Sequence, residues 1–443
     1  MADQKPQISF IGLGAMGFGM ATHLLKRGYN VTGFDVWAPT LEKFRAAGGQ
    51  TATTPSEAVA DKPYCVCMVA TAAQAHSVLF DHKAVDYLPQ GAVLLLCSTV
   101  PCEYVQSLEK QLVGYGRSDI LLVDSPVSGG VARAADGTLS IMAGMSSAAL
   151  EKARFLLEEL ADPAKLYIVE GGIGSGSNMK MVHQVLAACQ ILSSSEAMGF
   201  ADHLGLDLGK TIEAVNKSED AWNWMFEHRT PRMLTEYKPI ASAVNIIIKD
   251  TGIITAEGRK AQFPTLMTST AEQVYFAGVG RGFGPDDDSS LIRLYNEGKG
   301  NFKGLAEREE DKIQLVLDLL RGITLCAAAE ALAFAHAVGL DLDQVYELCI
   351  NAAGGSKALQ KFGPEIIKAY KEGSAAQGWN VAEAGVGLKE VANKLQAAVE
   401  EAQRVKAPVF LGGQALNIIR LALRSGGDGL AAGAVVKVWA AAN

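Results

Sequence analysis

Lys180 stands in a stretch that could do acid–base chemistry: Gly174-Ser175-Gly176-Ser177-Asn178-Met179-Lys180-Met181-Val182-His183-Gln184. Small residues come first, and an apolar, helix-forming run from Met179 to Leu192 follows. The pattern predicts a helix capped by Ser177 or Asn178, whose side-chain oxygen accepts from the first free N–H groups. Lys180 then falls in the first turn, where the helix dipole disfavours a cation. His183 and Gln184 lie three and four residues on and share its face. An amine so placed can be a general base. Free lysine ionises near ~10.4, and burial and a helix N-terminus both push it toward the neutral form. The same residues also fit a solvated lysine on an amphipathic helix, so the choice depends on the rest of the chain.

A second stretch is suited to binding an anion. The apolar run Gln7–Gly12 reads as a buried strand and leads into Gly12-Leu13-Gly14-Ala15-Met16-Gly17. The helical run Met20–Arg27 follows, and a strand Asn30–Phe34 ends at Asp35. Strand, glycine turn, helix, strand is the setting in which GxGxxG holds a dinucleotide. Gly12 permits the turn, Gly14 lets the backbone approach a pyrophosphate, and Gly17 lets helix and strand pack closely. Asp35 stands about 20 residues on, where a carboxylate accepts from a ribose 2′-OH and repels a 2′-phosphate. Gly12 to Gly17 and Asp35 are therefore the cofactor candidates, with NAD preferred over NADP.

Further strands alternate with helices: Tyr64–Ala70, Ala92–Cys97 and Ile120–Val123, with weaker candidates at Ser140–Gly144 and Lys165–Val169 and a helix at Leu150–Leu160. Loops at strand C-termini line the crevice of an open parallel sheet. Three loops qualify: Thr71–Gln74, with Gln74 a cofactor candidate, Ser98–Thr99, and Asp124-Ser-Pro-Val-Ser-Gly-Gly130. In the last, Ser128 with Gly129 and Gly130 can present a hydroxyl and bare N–H groups to a carboxylate, or can be an ordinary turn.

Beyond Gly176 the alternation stops and an internal repeat appears. Glu196-Ala-Met-Gly-Phe-Ala-Asp-His-Leu-Gly-Leu-Asp-Leu208 matches Glu330-Ala-Leu-Ala-Phe-Ala-His-Ala-Val-Gly-Leu-Asp-Leu342, and Gln262-Phe263-Pro264 matches Lys406-Ala407-Pro408. The expected fold is α/β: an N-terminal Rossmann, doubly wound parallel sheet at 1–176, then an all-α region of two duplicated helical units at 177–300 and 313–443. The polar, charged run Asn296–Lys312 suits a connector. The copies differ where chemistry is concerned. Lys180 falls on Gln314, and Lys249-Asp250 falls on Asn393-Lys394, although Lys389-Glu390 lies nearby. One active site per chain is expected.

With 49% apolar and 20% charged residues, a large core is expected and disorder is not. The net charge of −8, with no basic cluster, argues against a nucleic-acid or acidic-membrane partner. Seven scattered cysteines lack zinc or CxxC spacing, and the seven histidines are dispersed, so no metal site is expected. Reduced cysteines, a polar Met1–Gln7 and no apolar run of roughly 18–20 residues point to the cytoplasm.

Four motifs in order now carry a resemblance: Gly12–Gly17 with Met20-Ala21, Asp124–Gly130 with Gly137-Thr-Leu139, Gly174–Lys180, and Lys249-Asp250. The chain resembles the β-hydroxyacid dehydrogenases, which include the 3-hydroxyisobutyrate, tartronate semialdehyde and 6-phosphogluconate dehydrogenases. The resemblance covers about residues 7–295. It implies that Lys180 is the catalytic base, that Ser128-Gly129-Gly130 binds the substrate carboxylate, and that Val69, Ala70, Thr99 and Lys249 lie at the cofactor. His183-Gln184 stands where the family usually has Asn-Asn. That departure, with Trp224-Met-Phe-Glu-x-Arg229, looks like the L-threonate dehydrogenases. The segment Lys217–Asn223 is longer than theirs.

The resulting expectation is hydride transfer between a small hydroxy acid and NAD. His183 and Gln184 could bond the extra hydroxyls of a four-carbon sugar acid such as L-threonate, or could instead be satisfied within a helical core. A 3-hydroxyisobutyrate-like or other short-chain 3-hydroxyacid substrate is the alternative. A 6-phosphogluconate dehydrogenase needs an acid seven residues after the lysine, where Ala187 stands, and usually prefers NADP. Imine reductases commonly replace the lysine. A non-catalytic dinucleotide-binding protein is the rival from another class, and the retained Lys180 and Ser128 loop argue against it. The second helical unit could make a monomer pseudo-dimeric, or the chain could form a homodimer.

Overall fold

The computed structural model describes residues 5–375, 386–426 and 429–440. Two compact units divide the chain, Met1–Lys180 and Met181–Asn443.

Strands of the first unit are β1 (Gln7–Ile11), β2 (Asn30–Phe34), β3 (Gln50–Thr51), β4 (Tyr64–Cys67), β5 (Val93–Leu96), β6 (Leu121–Asp124), β7 (Val127–Ser128), β8 (Leu139–Met145) and β9 (Ala161–Ile168). Its helices are α1 (Ala15–Lys26), α2 (Ala38–Ala46), α3 (Pro55–Val59), α4 (Ala72–His76), α5 (Ala84–Tyr87), α6 (Cys102–Gly114), α7 (Gly130–Asp136) and α8 (Ser147–Leu160). The sheet order is β3-β2-β1-β4-β5-β6-β8-β7, with β9 beside β8. Pairings from β3 to β6 are parallel, and β6–β8 and β7–β8 are antiparallel.

This sheet is covered on both faces, which is why its strands read as continuous apolar runs rather than alternating ones. Phe10, Val66, Leu95 and Val123 pack in one core with Met20 and Leu24 of α1 and Leu156 of α8. Their neighbours Ile11, Cys67, Leu94 and Leu96 pack in a second core with Val105 and Leu108 of α6. Strand order reverses at β1, which pairs with both β2 and β4. The glycine loop therefore lies at the switch point, where such sheets bind ligands. Strand β4 ends at Cys67, three residues before the expected Ala70, and α1 begins at Ala15 within the glycine motif rather than at Met20.

The chain continues through α9 (Ser175–His203), α10 (Leu208–Asn216), α11 (Trp224–Met233), α12 (Val244–Lys260), α13 (Leu266–Gly280), α14 (Arg293–Asn296), α15 (Glu309–Ala337), α16 (Leu342–Ile350), α17 (Lys357–Lys371), α18 (Leu388–Val405) and α19 (Phe410–Gly426). The repeat is visible in element lengths: α9 and α15 have 29 residues each, and α10 and α16 have nine. Asp207 and Asp341 cap α10 and α16 in the same way.

The copies interlock. Glu196 of the first accepts from the Leu411 (3.0 Å) and Gly412 (2.8 Å) N–H groups that open α19 of the second. Glu330 of the second accepts from Met267 N–H (2.7 Å), Thr268 N–H (2.9 Å) and the Thr268 hydroxyl (2.7 Å), which open α13 of the first. Asn223 and Ser356 cap α11 and α17, and their neighbours exchange bonds: Trp224 N–H donates to Gly355 O, and Lys357 N–H to Trp222 O. Such exchange holds the two helical copies together in one compact unit. The connector is held too, since Leu305 and Ala306 N–H donate to Glu401 of α18 (2.5 and 2.8 Å).

Candidate active site

The glycine turn has a tightly constrained backbone. Gly12 has φ +90°, and a Cβ there would lie 2.2 Å from the Met68 carbonyl oxygen. A Cβ on Gly17 would lie 2.0 Å from Gly12 O, so helix and strand meet at the closest approach the backbone allows. A Cβ on Gly14 would meet nothing within 4 Å. That open space faces the start of α1, whose first turn, with Ala15 and Met16, has no side-chain cap. Uncapped N–H groups beside open space are what a pyrophosphate requires.

Asp35 is engaged within the protein. Its Oδ2 accepts from Leu13 N–H (2.7 Å) and its Oδ1 from Trp37 N–H (2.8 Å). The carboxylate thus ties the loop after β1 to the loop after β2, and each oxygen retains a lone pair for a ligand. Val69 N–H donates to Ser98 Oγ (2.9 Å), linking the loop after β4 to the one that carries Thr99. Gln74 has a local task. Its Oε1 accepts from Ala70 and Thr71 N–H (2.9 and 3.2 Å), and Thr71 Oγ1 accepts from Gln74 N–H, a capping box at α4. The Gln74 oxygen is therefore committed to holding the loop.

Ser128 closes the two-residue β7, and Gly129 and Gly130 follow at φ +138° and +74°. A Cβ on Gly130 would meet nothing within 4 Å. Two successive positive-φ residues turn the backbone sharply into α7 with open space in front, which suits an acidic group.

Asp124, which sequence reasoning left without a role, organises the lysine helix. It ends β6 and is fully buried. Its Oδ2 accepts from Ser177 N–H and its Oδ1 from Ser177 Oγ–H, both at 2.7 Å. Burial pushes the Asp124 carboxyl up to about 6, against the pull of the Ser177, Gly174 and Gly176 hydrogen bonds. The expected cap is therefore corrected. Helix α9 starts at Ser175, so Ser177 and Asn178 lie inside it, and the carboxylate that satisfies its first turn comes from a strand. Lys180 falls in the second turn, not the first. Glycines make the fit possible: a Cβ on Gly176 would lie 2.4 Å from Met142 O, and one on Gly144 would lie 2.3 Å from Gly172 O. Lys180 itself is 6% exposed.

Farther along α9, in the helical unit, His183 (1% exposed) and Gln184 (9%) form a chain with Lys249-Asp250 of α12. His183 Nδ1 lies 3.0 Å from Gln184 Oε1, and Gln184 Nε2 donates to Asp250 Oδ2 at 2.5 Å. The other oxygen of Asp250 faces Lys249 Nζ at 3.3 Å. Both ends of the Gln184 amide thus hold protein partners. Elsewhere in the helical unit, Trp224 stacks on His228 at 3.7 Å between centroids, and Arg229 pairs with Asp288 at 2.7 Å. Burial raises Asp288 to about 6, against the pull of Arg229.

The second copy builds different chemistry at its matching positions. Gln314, where Lys180 would fall, donates to Asp318 (3.1 Å), and Asp318 pairs with Arg321 (3.0 Å). Lys394 pairs with Glu390 on the helix surface.

Comparison with known proteins agrees with this geometry. The family described as NAD binding domain of 6-phosphogluconate dehydrogenase matches residues 7–172. The family described as NAD-binding of NADP-dependent 3-hydroxyisobutyrate dehydrogenase matches twice, over 174–295 and 311–439. An L-threonate dehydrogenase of Pectobacterium atrosepticum is 35% identical over 292 residues, 65% of this chain and 94% of that one. A crystal structure of 3-hydroxyisobutyrate dehydrogenase from Salmonella typhimurium superimposes with TM-score 0.61 at 29% identity, covering 66% of this chain and all of that one. A Plasmodium falciparum 6-phosphogluconate dehydrogenase shares the fold over 94% of this chain and 92% of its own, with TM-score 0.68 at 17% identity. The glycine turn, the Asp124–Gly130 loop, the buried Lys180 and the twice-matched helical family together place the chain in the β-hydroxyacid dehydrogenase family, as an NAD(P)-dependent dehydrogenase with a duplicated helical region.

Proposed function

We propose that the chain interconverts a small hydroxy acid and its carbonyl form with Lys180 as general acid/base, and that a four-carbon sugar acid such as L-threonate is the substrate. The observation that carries this is Lys180 itself. It is a buried amine in the second turn of a helix whose start is pinned to a strand-borne carboxylate. Burial favours the uncharged amine, and the neutral amine takes the proton of the carbinol hydroxyl as the C–H bond is broken. NAD, when bound at Gly12–Gly17 and Asp35, is the hydride acceptor. In the reverse direction the ammonium returns the proton to the forming alkoxide. Ser128, Gly129 and Gly130 hold the substrate carboxylate, and His183 recognises a further hydroxyl. Val69, Ala70, Thr99 and Lys249 are assigned to the cofactor by their places in the family motifs. NAD is preferred over NADP because Asp35 disfavours a 2′-phosphate.

The test pairs Lys180→Ala with a substrate panel. The variant should bind NADH as the wild type does and lose most turnover, a factor of roughly 10²–10⁴ for a missing acid–base group. Unchanged turnover would remove Lys180 from the role. Among L-threonate, other four-carbon sugar acids and 3-hydroxyisobutyrate, the first should give the largest kcat/KM, read as NADH absorbance. Preference for 3-hydroxyisobutyrate would replace the sugar-acid reading.

A further inference from the structure

We propose that the second helical copy carries a phosphate-binding site of its own, built from residues that the dehydrogenase reaction does not use. A cavity of about 60 Å³ is lined chiefly from α15, α17 and α18, and by Asp220. At roughly 15 Å³ for each water position it holds about four waters, room enough for one phosphate group. Its wall presents four cations, Arg321, Lys357, Lys361 and Lys394, against two carboxylates, Asp220 and Glu390. The lining is thus positive in a chain whose net charge is −8. Arg321 is the fixed member. Its guanidinium donates to Asp318 (3.0 Å) and to Asp220 (2.6 Å), and only 16% of the side chain is exposed. The lysines are free to move, being 31%, 45% and 44% exposed in chain order. Lys361 stands 3.7 Å from Asp220, too far for a hydrogen bond. Lys357 pairs with Glu219 (3.2 Å) and Lys394 with Glu390 (2.6 Å), and both of these acids are exposed. Exposed pairs of this kind are worth little, so an anion in the cavity can draw the ammonium groups to itself.

The repeat supplies an independent reason. With the helix caps Asn223 and Ser356 aligned, Lys357 falls on Trp224 and Lys361 on His228. With Pro264 on Pro408, Lys394 falls on Asp250, and with Glu196 on Glu330, Arg321 falls on Ala187. Positions that hold a tryptophan, a histidine, an acid and an alanine in the first copy all hold cations in the second. These changes come from three helices and converge on one cavity, which a merely solvated helix face does not require. Lysines gathered round one space repel one another, and a compact anion among them removes that cost. A phosphoryl group, with about −1.5 to −2 charges at pH 7, matches the excess of cations over carboxylates in the wall, and ammonium groups bind it as point charges.

Calorimetric titration of inorganic phosphate into the full chain tests this, at constant ionic strength and with NADH saturating so that the nucleotide site is filled. The wild type should bind phosphate, and its melting temperature should rise with phosphate concentration. Lys361→Gln combined with Lys394→Gln should weaken binding by about tenfold or more, abolish that rise and leave dehydrogenase turnover unchanged. Lys368→Gln combined with Lys371→Gln removes the same charge from α17 outside this cavity and should bind as the wild type does. Glycerol 3-phosphate is the second probe. Tighter binding than phosphate assigns the site to a phosphoryl group on a larger molecule, and weaker binding assigns it to the free ion. No binding of either probe by the wild type overturns the proposal. So does phosphate binding that survives Lys361→Gln with Lys394→Gln, which would place it elsewhere on the chain. Equal weakening in the two double variants overturns it as well, because net charge alone would then account for the affinity.

Discussion

Asp124→Asn tests whether the lysine helix hangs on a buried charge. The substitution keeps the shape of the side chain and removes its titration. Asn Oδ1 can still accept from Ser177 N–H, but the Ser177 hydroxyl must turn round to accept from Nδ2. Asp124 is raised from 3.8 to about 6 by burial. The folded state therefore holds this proton more tightly than the unfolded chain does. Between pH ~4 and ~6 the unfolded chain binds fewer protons, so this contribution to stability is full below the unfolded value and is lost as pH rises through 6. A rise from 3.8 to about 6 corresponds to roughly 3 kcal/mol. Urea midpoints for both proteins across pH 4 to 7 should show the variant gaining about that much on the wild type. Activity should fall at every pH, because an error of ~1 Å in a catalytic group costs on the order of 10²-fold. A stability gap that ignores pH, or that widens in favour of the wild type as pH rises, would mean that the Ser177, Gly174 and Gly176 bonds outweigh burial, and the reasoning would fail.

Three further outcomes are expected. Asp35→Ala should raise NADP use relative to NAD and weaken binding of both, because it also frees Leu13 and Trp37 N–H; unchanged NADP kinetics would exclude the ribose contact. Gly144→Ala should cost about 1–3 kcal/mol by overpacking, read as a lower melting temperature, since its Cβ would press on Gly172 O and Ser175 Oγ at 2.3 and 2.4 Å; an unshifted melt would show that the helix start can yield. Glu330→Ala and Glu196→Ala should each destabilise by at least about 2 kcal/mol, since each leaves two buried N–H donors orphaned at about 1–3 each. A large effect in one only would break the equivalence of the two copies.

What sequence could reveal follows the distance between partners. Gly12 and Gly17 act on the backbone within one turn, so their spacing alone pointed to the turn at φ +90° and to the close helix–strand approach. The start of α1 was missed because those same glycines argue against a helix that in fact begins among them. The start of α9 was missed for another reason. Its first-turn partner, Asp124, lies 53 residues away, and no local pattern announces a cap supplied from a strand. Glu196 was legible as one half of a repeat. Its acceptor role toward residues 215 and 216 positions distant was not. For Gln184 the sequence left open a substrate contact or satisfaction within the helical core; its amide is held by His183 and Asp250, because position i+4 beside an acid on another helix is settled by packing.

The exchanged caps of Glu196 and Glu330 also bear on dilution. Each helix start that the opposite copy satisfies would, if the copies were separate molecules, be satisfied only above some protein concentration. Here the two copies share one chain, joined through a connector that Glu401 holds in place. The partner is present at a fixed effective concentration set by that tether. These caps therefore persist however dilute the protein becomes, and a cut in the connector would make them depend on concentration for the first time.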